Sequence, residues 1–257
     1  MKTYIREKLF QLWYWYVSKL DKNAEVILMN YGYHDDKIVL QLTDKEEPNR
    51  YSLQLYYHFT ENIKIENQEI VEIGSGRGGG LAFLVNQLKP AKAIGIELNQ
   101  KAVDFCNNYY HLNGLEFKQG DAQNLDLPDN CCDVVINVES SHRYPEFQKF
   151  LQESKRILRP GGYLLITDFR YQYEMDEFNK DISVSGFEII SDKNINSEVV
   201  ASLKLDDDRR RNLIKKLAPS FLHKTALNFA GATGSETYNN FENKTYIYFS
   251  LVLRKTE

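Results

Sequence analysis

Residues 72–80 read EIGSGRGGG, a glycine-rich stretch that indicates how the chain folds. It follows an apolar run at 70–73 and precedes a helical pattern over 80–88. Glycines at a strand-to-helix turn let the backbone bend sharply and approach a ligand without a Cβ in the way. The stretch therefore predicts a nucleotide-like cofactor turn, although by itself it is also compatible with a turn that binds nothing.

Short apolar runs alternate with helical patterns on either side of this turn. The runs lie at 70–73, 93–96, 115–117, 134–136 and 163–166, with helical stretches at 80–88, 100–113 and 147–158. Continuous apolar runs are typical of strands buried on both faces of a parallel sheet. The alternation predicts an α/β fold with a Rossmann-like, seven-stranded, mostly parallel sheet and an antiparallel edge strand.

The chain divides into four predicted parts. Residues 1–66 form an N-terminal helical lid segment with a helix at about 48–61, and residues 67–194 form the cofactor-binding core. Residues 195–244 form a helical lid insert, and 245–257 form the final sheet strand. We expect the run at 187–190 and this last strand to form a pair at the sheet edge.

The glycine spacing fits two cofactor classes. Gly74, Gly76 and Gly79 match the G-x-G-x-x-G of dinucleotide sites, whereas Gly74, Gly76 and Gly78 match the G-x-G-x-G of methyltransferases. Glu72 separates them, because a carboxylate beside the helix N-terminus would repel a pyrophosphate. S-adenosylmethionine instead carries a sulfonium and an ammonium group, both of which a carboxylate attracts. The stretch therefore favours S-adenosylmethionine.

Two further acidic residues follow the next predicted strands. Glu97 ends the second strand, where a carboxylate can accept both ribose hydroxyls. Asp121 follows the third strand, where it can accept from an adenine amino group. A helix-capping glutamate and a turn aspartate are the plain alternatives. Ligands bind outside the carboxyl ends of strands in such sheets, so the shared location favours a site.

These motifs together resemble the class I S-adenosylmethionine-dependent methyltransferases over residues of about 67–170. The resemblance is carried by 71–80, 96–97, 120–122, 133–137 and 158–162. Residues 137–145 and 29–33 are similar to segments of natural-product methyltransferases, among them phthiotriolone-type and sugar O-methyltransferases. One departure is the run at 77–80, which is richer in glycine than in most relatives and should loosen the start of its helix.

The resemblance implies a set of cofactor contacts. A tyrosine of the N-terminal loop, Tyr31 or Tyr33, is expected near the sulfonium. The implied cofactor-binding residues are Tyr33, Glu72, Gly74, Ser75, Gly76, Glu97, Leu98, Asp121, Ala122 and Asn137.

The candidate catalytic residues are His142 and Asp168. Methyl transfer requires alignment of nucleophile, methyl and sulfur, and a hydroxyl nucleophile must also lose its proton. His142 comes just after the fourth strand, where similar sugar methyltransferases carry a histidine, so it is the candidate base. Asp168 ends the fifth strand and would orient His142 or act as base itself. A structural histidine and a surface-turn aspartate remain the alternatives.

Composition excludes several other classes. The net charge of −4 disfavours a nucleic-acid partner. The acidic run 206–208 and the basic run 209–211 predict a solvated, salt-bridged helix start. The histidines and the three cysteines lack metal-ligand spacing, so we expect no metal and free thiols in a cytoplasmic protein.

The N-terminus carries no signal-peptide pattern, and no apolar run is long enough for stable membrane insertion. Aromatic residues recur at helical spacing over 10–17. They predict a helix that covers the substrate pocket, with a membrane-surface helix as the alternative.

The leading hypothesis is a methyltransferase that uses S-adenosylmethionine on a small-molecule acceptor, at a hydroxyl oxygen of a natural product, lipid or sugar. One alternative is a C-methyltransferase of the sterol or quinone type, which would use a carboxylate such as Glu139 or Asp168. Another is a protein that binds S-adenosylmethionine without catalysis. The sequence leaves open whether the chain forms a homodimer.

Overall fold

The computed structural model describes Asp21, residues 24–61 and residues 63–257. The predicted N-terminal aromatic helix lies outside these residues. The strands are β1 (Glu69–Ile73), β2 (Lys92–Glu97), β3 (Leu115–Gln119), β4 (Cys132–Val138), β5 (Leu158–Tyr171), β6 (Phe187–Asn194) and β7 (Tyr246–Lys255). The helices are α1 (Arg50–Thr60), α2 (Gly79–Leu88), α3 (Gln100–Tyr109), α4 (Phe147–Ile157), α5 (Met175–Val184), α6 (Asn196–Leu205), α7 (Asp207–Leu217), α8 (His223–Phe229) and α9 (Glu236–Glu242).

All seven strands form one sheet in the order β3-β2-β1-β4-β5-β7-β6. Strands β1 to β5 pair in parallel, whereas β7 runs antiparallel to both of its neighbours, β5 and β6. The predicted α/β fold class is confirmed. The predicted pairing of 187–190 with the last strand is also present, with β7 lying inside the sheet and β6 forming its edge.

The register brings the carboxyl ends of β1, β2 and β4 to the same edge of the sheet. Glu72 pairs with Gly95 of β2 and with Ile136 of β4, and Ile73 pairs with Ile96. The turns after these three strands therefore meet in one cleft, where open α/β sheets bind their ligands.

Alternate strand residues pack into two hydrophobic clusters on opposite faces of the sheet. On β1, Ile70 belongs to one cluster and Val71 to the other. The first cluster contains Leu55 of α1, Leu81 of α2 and Leu203 of α6, so the N-terminal segment and the insert share a face. The proposed division at 66/67 and 194/195 stays a prediction.

The helical insert predicted at 195–244 contains four helices in the structure, α6, α7, α8 and α9. Asp206 ends α6 and starts α7, and Pro219 precedes the short 3₁₀ turn that leads to α8. Proline cannot continue a helix because it lacks the backbone N–H. Among the described residues, no helix has the length and apolar character needed to cross a membrane.

Arg210 corrects the interpretation of residues 206–211 as fully solvated. Its guanidinium is buried beside Asp206, with an Nε–Oδ2 distance of 2.9 Å. It also donates to the backbone carbonyl of Tyr31 at 3.1 Å and to that of Ala230 at 3.0 Å. The side chain therefore joins the insert to the N-terminal loop.

The glycine-rich start of α2 is closely packed, so the expectation of a loose start was wrong. A Cβ at Gly79 would lie 2.6 Å from the carbonyl oxygen of Ile27. A Cβ at Gly80 would lie 1.8 Å from Cζ of Tyr56 on α1. These glycines make room for residues that cover the cofactor turn.

We expect Gly80→Ala to lower the free energy of unfolding by about 1–3 kcal/mol because the methyl group collides with Tyr56. Helix propensity alone predicts the opposite sign. Asn86→Ala, an exposed control in the same helix, should instead raise the stability slightly. Urea denaturation measures both, and a stabilised Gly80→Ala variant would contradict the packing described here.

Candidate active site

Glu72 is buried near the end of β1 with one carboxylate oxygen satisfied and the other not. Its Oε1 accepts a hydrogen bond from the Tyr56 hydroxyl at 2.7 Å. Its Oε2 is buried and has no hydrogen-bond partner among the described residues. Burial raises the pKa of Glu72 to about 8, against the lowering effect of the Tyr56 hydroxyl. The carboxyl is therefore prepared for a cationic ligand that would pair with Oε2.

Glu97 holds the glycine turn from the end of β2. Its Oε2 accepts from the backbone N–H of Gly76 at 3.0 Å, and its Oε1 accepts from that of Asn99 at 2.9 Å. Burial raises the pKa of Glu97, and these hydrogen bonds oppose the shift. The next residue, Leu98, is 64% exposed. An exposed apolar side chain beside a carboxylate suits a ligand with a flat ring and a hydroxylated sugar.

Asp121 and Ala122 follow β3 at the same sheet edge. Asp121 is exposed, and its Oδ1 accepts from the backbone and side-chain nitrogens of Gln123 at 2.9 and 3.2 Å. Ala122 is buried in the second hydrophobic cluster. The predicted adenine contact of Asp121 stays a prediction, and in the structure this side chain stabilises a turn.

Asn137 is fully buried near the end of β4, and its side-chain amide forms hydrogen bonds with three neighbouring residues of the site. Its Nδ2 donates to the carbonyl of Ile73 at 2.8 Å and to the Tyr144 hydroxyl at 3.0 Å. Its Oδ1 accepts from the backbone of Ser141 at 3.2 Å. The structure thus places Asn137 beneath the glycine turn as a positioning residue, while direct cofactor contact stays a prediction.

The glycine turn itself fits closely against its neighbours. Gly74 and Gly76 have φ values of +78° and +56°, in the left-handed region that favours glycine. A Cβ at Gly74 would lie 2.0 Å from Oγ of Ser140. Ser75 is buried, and its hydroxyl has no hydrogen-bond partner among the described residues. The glycine turn therefore lies directly after β1, where the sequence predicts it.

The two tyrosines of the N-terminal loop, Tyr31 and Tyr33, contact different parts of the protein. The backbone N–H of Tyr31 donates to Oε1 of Glu139 at 2.6 Å, beside the cleft. Tyr33 stacks on His58 with ring centroids 4.1 Å apart and lines a separate polar pocket that includes Lys193. The predicted cofactor contact of Tyr33 stays a prediction, and in the structure this side chain packs on His58.

His142 and Asp168 form a hydrogen-bonded pair. Nδ1 of His142 lies 2.7 Å from Oδ1 of Asp168, and both side chains are nearly or fully buried. Burial lowers the pKa of His142 to about 4, against the raising effect of Asp168. Although burial alone would raise the pKa of Asp168, His142, Arg170 and Ser141 hold it well below its usual range. The imidazole is therefore neutral at physiological pH.

Both ring nitrogens of His142 are engaged. The backbone N–H of His142 also donates to Asp168 at 2.9 Å, which fixes the residue in place. Nε2 accepts a hydrogen bond from Nε of Arg143 at 3.0 Å, so Nδ1 carries the proton given to Asp168. Asp168 further accepts from the Ser141 hydroxyl at 2.6 Å and lies 3.2 Å from Nη1 of Arg170.

Glu139 is a second carboxyl at this edge, one residue beyond β4. Its Oε1 accepts from the Tyr248 hydroxyl at 2.6 Å as well as from the backbone of Tyr31. Burial raises its pKa to about 8, although the hydrogen bonds from Tyr248 and Tyr31 lower it. Among the described residues, no group of three or more histidine, cysteine, aspartate and glutamate side chains is arranged to hold a metal.

Sequence reasoning missed Tyr56 and Tyr248, the hydroxyl partners of Glu72 and Glu139. Each is distant along the chain from its carboxylate and lies in an ordinary aromatic helix or strand. No local spacing links either pair, so only the packing of α1 and β7 reveals them.

A family described as "Methyltransferase domain" matches residues 71–166 of this chain. The chain is 38% identical to a fatty-acid O-methyltransferase of Mycolicibacterium smegmatis over 219 residues, covering 85% of this chain and 80% of that protein. It is 35% identical to a probable phthiotriol/phenolphthiotriol dimycocerosates methyltransferase 2 of Mycobacterium ulcerans, covering 91% of each.

Solved structures share the fold at low sequence identity. The [4+2]-cyclase SpnF aligns with a TM-score of 0.69 at 18% identity, over 95% of this chain and 94% of that one. A geranyl diphosphate methyltransferase in complex with SAM aligns with a TM-score of 0.66 at 12% identity, over 90% and 99%. Since one neighbour is named a cyclase, these alignments show the fold alone.

We expect nitrogen-15 NMR to show the His142 imidazole neutral and protonated on Nδ1 until the pH falls to about 4. The folded state lowers this pKa from 6.5, so the stability it contributes is complete above pH 6.5 and is lost as the pH falls toward 4. His142→Gln assigns the resonance. A His142 ring that is doubly protonated at about pH 6 would contradict the buried neutral pair.

Proposed function

Since this chain belongs to the same methyltransferase family as these fatty-acid and phthiotriol dimycocerosates enzymes, we propose that it transfers the methyl group of S-adenosylmethionine to an oxygen atom of a lipid-like acceptor. The chain is a methyltransferase. Its own use of S-adenosylmethionine and the nature of its acceptor are the steps that we propose.

The unsatisfied Oε2 of Glu72 carries the cofactor assignment. A buried carboxylate oxygen without a partner costs free energy unless a ligand supplies the missing donor. The ammonium group of S-adenosylmethionine supplies a donor and a positive charge. A pyrophosphate would instead meet two carboxyls, those of Glu72 and Glu97, at the same turn. The residues present therefore fit S-adenosylmethionine and disfavour a dinucleotide.

Glu97 would hold the ribose through its hydroxyls, and the exposed Leu98 would cover a face of the adenine ring. When bound, S-adenosylmethionine supplies a methyl group activated by the positive charge on sulfur. What remains for the protein is to hold the acceptor oxygen in line with this methyl group, to exclude water and to take up the proton of a hydroxyl acceptor.

An apolar cavity beside Tyr31 supports a lipid-like acceptor. Residues from the segment 26–31, α7 and α8 line it, among them Leu28, Met29, Leu213, Leu217 and Phe229. Because these residues offer an alkyl or polyketide chain few hydrogen-bonding groups, the cavity suits an extended hydrocarbon. Tyr31 lines the cavity and also contacts Glu139, so the cavity leads toward the cleft.

His142 assisted by Asp168 is the sequence-based proposal for the residue that takes the acceptor proton. The hydrogen bond between the two side chains supports it, because a carboxylate on Nδ1 makes Nε2 the acceptor site. Nε2 accepts from Arg143, so this role requires the Arg143 side chain to turn away before the acceptor binds.

Glu72→Gln should weaken binding of S-adenosylhomocysteine about tenfold or more, because a charge-assisted hydrogen bond is lost. In the wild type the carboxyl has a pKa of about 8, so a cationic ligand binds more tightly as the pH rises toward 8. Below that pH, binding of the ligand displaces a proton from the carboxyl. Calorimetry in buffers of different ionisation enthalpy measures this release. The exposed Glu66→Gln is the control, and equal affinity and proton release in both variants would contradict the assignment.

Ala226→Phe should block the apolar cavity and raise the KM for long-chain acceptors while leaving S-adenosylhomocysteine affinity unchanged. Ala226 is buried in the cavity wall on α8, whereas its neighbour Thr225 is exposed. Thr225→Phe is therefore the matched control. Acceptors of increasing chain length distinguish the variants, and unaltered kinetics of Ala226→Phe with every chain length would place the acceptor elsewhere.

A further inference from the structure

We infer that Glu139, rather than His142, takes the proton from a hydroxyl acceptor, an inference that rests on the proposed function. Four features of Glu139 carry it: its place at the sheet edge, its backbone conformation, the asymmetric use of its two oxygens and its connection to the apolar cavity.

Glu139 follows β4, the strand next to β1, and so lies close to the glycine turn. Ile136 of β4 pairs with Glu72, so the chain reaches Glu139 just beyond the level of that carboxyl. The backbone N–H of Glu139 donates to the carbonyl of Thr167 at 2.8 Å, which holds it beside β5. Its φ is +45°, in the left-handed region that a non-glycine residue rarely adopts. Such strain persists where surrounding contacts enforce it and is concentrated at functional sites.

The two carboxylate oxygens of Glu139 are used unequally. Oε1 accepts two short hydrogen bonds, from the backbone of Tyr31 and from the hydroxyl of Tyr248. Oε2 has no hydrogen bond to a described residue, and the side chain is only half-buried. The carboxyl is thus fixed through Oε1, which leaves Oε2 available to a ligand.

The surroundings of Glu139 suit proton transfer near neutral pH. Burial is the main cause that raises its pKa to about 8, with Asp168 adding to the effect and Arg210 opposing it. The Tyr248 hydroxyl donates to Glu139, and burial raises its pKa well above the ordinary range, so it stays protonated. A base whose pKa lies close to the ambient pH is the most effective.

The connection to the cavity distinguishes Glu139 from His142. Tyr31 lines the apolar cavity and donates its backbone N–H to Glu139, so this carboxyl is one residue removed from the cavity wall. His142 offers no equivalent position, because Asp168 and Arg143 engage both ring nitrogens. Glu139 can therefore accept a proton without rearrangement of its partners.

The step balances in atoms and charge. The acceptor oxygen forms a bond to the methyl carbon, and the electron pair of the broken methyl–sulfur bond stays on sulfur. The hydroxyl proton passes to Oε2 of Glu139, so the positive charge of the methyl donor and the negative charge of the carboxylate cancel. The products are a methyl ether, a neutral thioether and a protonated Glu139.

The test compares Glu139→Gln with wild type on two probes, 1-hexadecanol and palmitate. The alcohol must lose a proton, whereas the ionised acid has none to lose. We expect the ratio of alcohol to palmitate turnover to fall about 100-fold in Glu139→Gln. The exposed Glu188→Gln should keep the wild-type ratio, and His142→Gln should slow the enzyme without changing that ratio.

Two NMR titrations test the inference without any measurement of turnover. Carbon-13 NMR of carboxyl-labelled glutamate should show a resonance, absent from Glu139→Gln, that titrates near pH 8. Tyr248→Phe removes a hydrogen bond that lowers this pKa, so the titration should move to higher pH. A Glu139 resonance that titrates near 4.5 would overturn the inference even if neither probe is methylated.

The outcomes separate this inference from the proposed function. Failure of wild type to bind S-adenosylhomocysteine overturns the proposed function. Normal binding together with an unchanged probe ratio in Glu139→Gln overturns the role of Glu139 alone. A selective loss of alcohol turnover in His142→Gln transfers the role of base to His142.

Discussion

A half-satisfied carboxyl buried at the end of β1 is the constraint on which the rest of the site depends. Removing a carboxylate from water costs several kcal/mol unless charge or hydrogen bonds compensate. Glu72 receives one hydrogen bond from Tyr56 and keeps Oε2 without a partner among the described residues. The fold therefore leaves Oε2 of Glu72 unpaired at the point where the glycine turn lets the backbone come close to a ligand.

Two long-range contacts connect the insert to the end of β4. Arg210 of the insert is buried against Asp206 and donates to the carbonyl of Tyr31. Tyr31 in turn donates to Glu139. The insert, the N-terminal loop and the end of β4 are thereby connected through a single backbone segment. A change in the insert can therefore alter the surroundings of Tyr31 and Glu139 while the β1–α2 turn keeps its own contacts.

The sequence predicts those parts of the site that depend on local spacing. Glu72 and Glu97 lie at strand ends, and the glycine spacing that follows Glu72 predicts the turn. Tyr56 and Tyr248 could not be assigned, because their partners are chosen by the packing of distant elements. The assignment of Tyr33 to the cofactor stays a prediction for a related reason: Tyr31 and Tyr33 lie on one short loop, and only the path of that loop brings Tyr31 to Glu139.

The central claim is that Glu72 and Glu97 together recognise a cationic adenosyl ligand, and a crystal structure with S-adenosylhomocysteine tests it most directly. We expect the ligand ammonium group within hydrogen-bond distance of Glu72 Oε2. We expect the ribose hydroxyls to donate to the carboxylate of Glu97, at the carboxyl ends of β1 and β2. A ligand bound elsewhere, or bound at this edge with neither carboxylate in contact, would contradict it.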